Sequence, residues 1–411
     1  MQALSQSAEK ISEVQGGSIV SPIGFKTAGV HAGLRYSKKD LGVIYSEKPA
    51  HAAAVYTTSM VQAAPLHVTK DSIAAEGLIQ AVVVNSACAN ACTGERGYQD
   101  ALQMREYGAK HLGIPSQYVA VASTGVIGEF LQMDKIEQGI KQLAPDSSSR
   151  SAEDFQTAIL TTDTVQKSCC YTTMIDGKTI SMGGAAKGSG MIHPNMATML
   201  AFVTTDAEVD SDSLQEALKE ITNHSFNQIT VDGDTSTNDM VLVMANGNAE
   251  NSPLSPQHPE WQAFVQLLSM TCKNLAKQIA RDGEGATKLI EVEVTGAVND
   301  TDAKKAAKQI VGSNLVKTAM FGADANWGRI IGALGQSGVS IDNSMVDITI
   351  GDIQMLQKSE PQPFSEEEAT GYLKNKEVKI TVNLHQGTGQ GKAWGCDLSY
   401  DYVKINASYR T

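Results

Sequence analysis

Basic residues are in short supply in this chain. Thirty-three lysines and arginines stand against 45 aspartates and glutamates, a formal net charge of −12, and no basic cluster stands out. An acidic surface without a basic patch repels nucleic acid and anionic membranes, so neither is expected as a partner and small-molecule substrates fit better. Long apolar runs are missing too. No stretch approaches membrane-spanning length, and the polar residues 1–17 carry Glu9, Lys10 and Glu13 where a signal peptide would be apolar, so the cytoplasm is the expected compartment. Cysteine is sparse. Six in a chain of this length make no disulfide framework, and neither Cys88 with Cys92 nor Cys169 with Cys170 has a second cluster at metal spacing. All six are read as reduced, mostly buried thiols, with no bound metal or cofactor. Nucleotide and calcium motifs also fail. Gly387 to Gly391 opens no helix, Gly188 stands where a phosphate loop needs Ser or Thr after Lys187, and Thr237 and Val243 replace the Gly and Glu of an EF-hand.

What is present suffices for a sizeable core. The 411 residues are 42% hydrophobic, enough for more than one domain. From Ser18 to about Ser72 short apolar pieces alternate with turn residues, a strand-rich pattern. Residues 81–84 and 118–122 predict buried strands, and residues 99–112, 134–143 and 152–160 predict helices. Strands near residues 169–174 and 179–182 follow. Ser213 and Glu216 suit a capping box, and Pro259 begins a helix whose Trp261, Phe264, Leu268, Cys272, Leu275 and Ile279 form one apolar face. Beyond Ala286, Ile290, Val292 and Val294 alternate with polar residues. A helix over 301–312, a helical stretch at 327–334 and strands at 346–350 and 378–384 follow. The expectation is a catalytic α/β domain over 1–285 and a smaller C-terminal α/β domain over 286–411.

The organising stretch runs from Ala186 to Val203. A Gly/Pro-punctuated loop holding Lys187 leads into the apolar run Met199 to Val203, and Thr198 stands at the junction. Threonine commonly begins strands. It also becomes a useful nucleophile when its own α-amine is free to act as base. That amine has a reference pKa of about 7.7–8.0, so a fraction is neutral near physiological pH. Freeing it requires cleavage between Ala197 and Thr198, which the Thr198 hydroxyl can begin by attacking the Ala197 carbonyl to form an ester that water opens. Local sequence leaves both readings open. Ser123-Thr124-Gly125, after a strand, is either a turn or a place where backbone N–H groups stabilise an oxyanion. Thr161 to Thr164 either cap a helix or touch a ligand. Glu284, between glycines, is either a solvated turn acid or a ligand-binding one. The tail carrying Asn406 and Thr411 has the look of a fraying end.

Lys187-Gly188-Ser189-Gly190-Met191-Ile192-His193-Pro194-Asn195-Met196-Ala197-Thr198-Met199-Leu200 resembles the self-cleavage signature of the ornithine acetyltransferases of arginine biosynthesis, also called bifunctional glutamate N-acetyltransferases. Further likeness at 89–94, 124–125, 161–164, 232–239, 282–285, 322–329 and 406–411 extends the match over essentially the whole chain. The resemblance implies a layered α/β sandwich similar in shape to N-terminal nucleophile hydrolases but differently connected. It implies a cut into α (1–197) and β (198–411) chains that stay associated, as a dimer of such pairs. It makes Thr198 the nucleophile, the Thr124 hydroxyl and Gly125 amide the oxyanion pair, and Thr161, Lys187, Thr198, Glu284, Asn406 and Thr411 the substrate contacts. Glu284 suits a cationic amine. Lys187 either pairs with a carboxylate or depresses the pKa of the Thr198 amine.

The activity so implied moves an acetyl group from N-acetylornithine to Thr198 and then to glutamate, giving ornithine and N-acetylglutamate. Acetyl-CoA serves as a second donor if the enzyme is bifunctional. Two alternatives remain open: a self-cleaving amidase or aminopeptidase of the same type, and a non-catalytic amino-acid-binding protein in which Thr198 is structural.

Overall fold

The computed structural model describes residues 11–193 and 199–408. Nine strands there form one mixed sheet and its branch: β1 (Ser12–Glu13), β2 (Phe25–Val30), β3 (Leu41–Tyr56), β4 (Leu78–Asn85), β5 (Val119–Ser123), β6 (Lys167–Ile175), β7 (Lys178–Lys187), β8 (Leu200–Thr205) and, after the short β9 (Ile229–Thr230) of a second sheet, β10 (Met240–Ala245). The order is β1-β6-β7-β8-β10-β3-β4-β5, with β2 beside β3. The pairs β4–β5 and β8–β10 are parallel, each closed by a crossover that contains a helix, Gly94–Leu112 for the first and Ser211–Thr222 for the second.

The long strand β3 lets this sheet fold over itself. Its register with β4 shifts between Tyr45 and Ala50, a bulge that bends a strand. The first part of β3 pairs with β2 and β4, whereas His51 to Tyr56 pair with β10. Side-chain alternation shows the result. Val82, Val84, Ala120 and Ala122 share one core with Leu200, Phe202, Met240, Leu242 and Met244, so the two halves meet face to face. The intervening residues point outward on each half. Ala81, Val83, Val119 and Val121 pack with Ala101 and Met104 of one helix, while Ala201, Val203, Val241 and Val243 pack with Leu214, Phe264 and Leu275 of two others. Each Val or Leu buried in these layers contributes about 1.5–3 kcal/mol. The outcome is the layered α/β sandwich expected from the sequence.

The second sheet runs β14 (Glu360–Pro361), β13 (Ile353–Gln357), β12 (Asp347–Ile350), β15 (Glu377–Asn383), β11 (Leu289–Ala297), β16 (Gly389–Cys396), β9. Ile290, Val292, Val294, Val378 and Ile380 bury one face under the helices Asp300–Gly312, Asn314–Phe321, Trp327–Gly335 and Glu366–Leu373. Its far edge joins the first layer. β9 pairs with β16, and Leu289, Trp394 and Cys396 pack with the helix Trp261–Arg281.

Several local expectations change. Ala64–Glu76 is a helix inside a stretch expected to hold strands and turns, with a buried face that is partly polar: the Thr69 and Ser72 hydroxyls donate to the Val121 and Val119 carbonyls at 2.7 and 2.9 Å. The second helix begins at Gly94 rather than residue 99. Asp210, not Ser213, caps the helix Ser211–Thr222, because its side chain accepts from the Ser213 N–H at 2.9 Å. All six cysteines are free, five of them buried and Cys92 exposed. Among the described residues no helix is long and apolar enough to cross a membrane.

Candidate active site

Folding the sheet brings the end of β5 and the beginnings of β8 and β10 to one rim of the sandwich. Asn85, at the end of β4, organises the first of these. Its Nδ2 donates to the Ser123 hydroxyl at 2.6 Å, its Oδ1 accepts from the Ala87 and Cys88 N–H groups at 3.2 and 3.1 Å, and its carbonyl accepts from the Thr124 N–H at 3.0 Å. Asn238, just before β10, crosses the gap and donates to the Ala89 and Ser123 carbonyls at 2.5 and 2.8 Å. The turn after β5 then requires glycine. Gly125 has φ +127°, and a Cβ there would lie 2.3 Å from the Ala87 carbonyl oxygen.

Between these elements lies a cavity of about 390 Å³. Thr124, Gly125, Thr161, Lys187, Glu284 and Asn406, expected as site residues from five separate parts of the sequence, all line it. Gly190, Met191 and Met199, from either side of the organising loop, line it as well. The expected cleavage residues Ala197 and Thr198, and the expected contact Thr411, lie outside the described residues.

Lys187 is the last residue of β7, paired across the sheet with Leu200. The sequence predicts it within the loop, but the strand runs five residues past its expected end because Gly183, Gly184, Ala185 and Ala186 continue the ladder despite their weak strand preference. Its ammonium is buried, and the Nζ lies 3.3 Å from the Thr124 Oγ1. Lysine has donors only, so Thr124 accepts and keeps its own hydroxyl proton free to point into the cavity. Burial pushes the Lys187 pKa below the usual lysine value, with Asp163 working against that shift.

Asp163 belongs to a buried ionic cluster with Lys167 and Asp282 that no local pattern in the sequence announces. Its Oδ1 accepts from Lys167 Nζ at 2.6 Å and from the Gly188 N–H at 2.7 Å, and its Oδ2 accepts from the Thr161 N–H at 2.9 Å. Burial alone would raise this carboxyl, but Lys187 and Lys167 outweigh it and hold the group well below the usual carboxylate range. Lys167 also reaches Asp282 at 2.6 Å, and the Asp282 carbonyl accepts from the Ser189 hydroxyl at 2.6 Å. One network thus fastens the Thr161 corner, the start of the organising loop and the turn that carries Glu284.

Glu284 is 6% exposed, and its Oε2 accepts from the Asn406 Nδ2 at 2.7 Å. The tail therefore forms a helix, Tyr400–Ser408, that returns to the cavity instead of fraying. Gly190 makes room for the carboxylate: a Cβ there would lie 2.4 Å from the Glu284 Cδ. On the other flank, Asp232 accepts from the Met191 and Ile192 N–H groups at 2.6 and 2.9 Å, which gives the 232–239 motif a role in shaping the loop. Among the described residues no cluster of His, Cys, Asp or Glu is placed to hold a metal ion. The cavity thus gathers the Thr124 hydroxyl and Gly125 beside the buried Lys187 ammonium, with the buried Glu284 carboxylate on the same lining.

The sequence model of the ArgJ family matches residues 26–411. The chain is 66% identical over 411 residues, the full length of both proteins, to the arginine biosynthesis bifunctional protein of Geobacillus kaustophilus (strain HTA426). It is 61% identical over 395 residues, 96% of this chain and 97% of the relative, to that of Bacillus subtilis (strain 168). A crystal structure of the same bifunctional protein from Bacillus halodurans is 67% identical, covering 52% of this chain and 100% of that one with a TM-score of 0.51.

Proposed function

The chain belongs to the ArgJ family, and we propose that it moves acetyl groups in arginine biosynthesis, from N-acetylornithine to glutamate and also from acetyl-CoA to glutamate. The carrier is Thr198, freed at its α-amine by cleavage of the Ala197–Thr198 bond. The observation that carries this reading is the single cavity lined by Thr124, Gly125, Thr161, Lys187, Glu284, Asn406 and Met199, the residue that follows Thr198 in the chain.

In the first half-reaction the Thr198 hydroxyl passes its proton to its own amine while its oxygen adds to the acetyl carbonyl of N-acetylornithine. The Thr124 hydroxyl and the Gly125 N–H face the developing oxyanion, and Lys187 polarises the former. Collapse returns the proton to the departing nitrogen, releases ornithine and leaves an acetyl ester on Thr198. The neutral amine of glutamate then attacks that ester by the reverse path. Glu284 binds the cationic head of a free amino acid through the oxygen that Asn406 does not occupy, and Thr161 and Thr411 complete the contacts. Donor and acceptor share an amino-acid backbone, so one pocket serves both.

The sheet supports lasting association of the two pieces after cleavage. β7 and β8 flank the cut and pair from Met182 to Lys187 with Leu200 to Thr205, while β10 of the second piece lies between β8 and β3 of the first. The pieces form one cytoplasmic unit, with a catalytic region over 1–285, a smaller region over 286–411 and a dimer of pairs as the assembly.

N-acetylornithine labelled in its acetyl group, mixed with glutamate and the protein, should yield labelled N-acetylglutamate. Accumulation of free labelled acetate in its place would contradict transfer and favour an amidase.

A further inference from the structure

A second cavity, of about 540 Å³, lies where the helix Trp261–Arg281 meets β16, and it shares no lining residue with the first. In a chain with a net charge of −12 its lining is inverted: Lys273, Lys277, Lys304 and Lys392 surround a single carboxylate, Glu291. That carboxylate is already taken. It accepts from Lys277 at 3.0 Å, Lys392 at 3.4 Å and the Trp394 indole N–H at 2.7 Å.

Lys273 and Lys304 are left over. Among the described residues neither has a carboxylate within ion-pair distance, although Asp300 and Glu220 exert a weaker pull on Lys304 from farther away. The Lys304 Nζ instead meets the His224 Nε2 at 3.1 Å. Burial, with Lys304 and Lys273 nearby, pushes His224 below its usual value, so the ring stays neutral and accepts. Partial burial and the like charges of Lys392 and Lys277 likewise lower Lys273. Gln228, 8% exposed on the same lining, keeps a buried Oε1 without a hydrogen-bond partner.

Lys273 is exposed and Lys304 half-buried, so both ammonium groups are solvated when the hollow is empty, and the clustered positive charge around it attracts an anion. The type of cation selects the anion. Carboxylates are best met by the planar fork of arginine, and among the described residues no arginine lines this cavity. Lysines arriving from the helix Trp261–Arg281, the helix Asp300–Gly312 and β16 approach as point charges from three directions, which suits the tetrahedral oxygens of phosphate. A cationic amino acid is repelled.

We propose that this cavity binds a phosphate-bearing small molecule with at least two negative charges, held chiefly by Lys273 and Lys304. Two sources share that chemistry: a free di- or polyphosphate, and the nucleotide end of a carrier such as coenzyme A. The site stands apart from the acetyl-transfer pocket, so its occupancy is measurable whether or not transfer occurs.

Isothermal titration of the full-length protein at low salt, with pyrophosphate and separately with coenzyme A, tests the proposal. Lys273→Gln combined with Lys304→Gln should weaken binding about a hundredfold, about tenfold for each lost charged contact, and should leave exchange between N-acetylornithine and glutamate unchanged. Lys273→Arg with Lys304→Arg should retain most of the affinity. Binding of both probes assigns the cavity to phosphate in general; binding of coenzyme A alone, lost in the double Gln variant, assigns it to a nucleotide end. Absence of binding by either probe, equal affinity in wild type and the double Gln variant, or tighter binding of the dicarboxylate N-acetylglutamate than of pyrophosphate at this site would overturn it.

Discussion

Asp163→Asn is the perturbation that most directly tests how the loop is held. Asp163 is 6% exposed and Lys167 has no exposed surface, so the pair is dry, and the carboxylate also anchors the Gly188 and Thr161 N–H groups at 2.7 and 2.9 Å. Asparagine keeps the shape but supplies one acceptor where two are needed, and it removes the stronger of the two carboxylate charges, Asp163 and Asp239, that favour the Lys187 ammonium. Removing one partner of a buried ion pair costs about 3–5 kcal/mol. That is a large part of a typical total of about 5–15 kcal/mol, yet leaves a folded protein. At about 2 °C per kcal/mol for a chain of this size, the melting temperature should fall by roughly 6–10 °C. The pH dependence has a definite sign. The Asp163 carboxyl is held well below its unfolded value, so its contribution is present above the ordinary carboxylate pKa of about 3.9 and fades as the pH falls toward the lowered folded value. The gap between wild type and variant, followed by thermal unfolding, should therefore narrow below about pH 4. A variant melting within a degree of wild type at pH 7 would refute the reasoning, as would a gap that widens in acid.

Gly190→Ala should push the Glu284 carboxylate away from Asn406, since the new Cβ would lie 2.4 Å from the Glu284 Cδ. Losing that charged hydrogen bond should lower kcat/KM for N-acetylornithine by about 10- to 100-fold, with little change in thermal unfolding. Activity of the wild type should rise with pH as the Thr198 α-amine, reference pKa about 7.7–8.0, loses its proton. It should fall again where Lys187 deprotonates, at a pH below the ordinary lysine value because burial disfavours the charge. In Lys187→Arg the acidic limb should persist and the alkaline limb should disappear; superimposable alkaline limbs would show that the Lys187 proton plays no part.

The layers were legible because their chemistry is local. Ala81 to Val84 and Met199 to Val203 are uninterrupted apolar runs, and the sequence shows such strands as buried on both faces. The helix Ala64–Glu76 was not legible, because Thr69 and Ser72 occupy its buried face and satisfy β5 carbonyls and an N–H that only the fold brings near. The residues proposed for the site were named from their family pattern, and the structure places those from 124 to 406 on the lining of one cavity. Asp163 and Asp282 stand inside the 161–164 and 282–285 matches, but their pairing through Lys167 was not legible, for the opposite reason. Isolated charges in sequence usually mark solvated surface, and nothing about residues 163 and 282 announces that one lysine will join them in the core. Asn238 lies within the 232–239 match, but its bonds across the gap were not legible, since its two acceptors are carbonyls, which every residue possesses.

The central claim is that Thr198 makes its own proton acceptor by breaking the bond before it. Intact-mass measurement of the denatured protein should show wild type as two polypeptides, residues 1–197 and 198–411, and a Thr198→Ala variant as one chain of 43.7 kDa without acetyl transfer. Fully active wild type consisting only of the uncut chain, or an alanine variant still cleaved between residues 197 and 198, would contradict it.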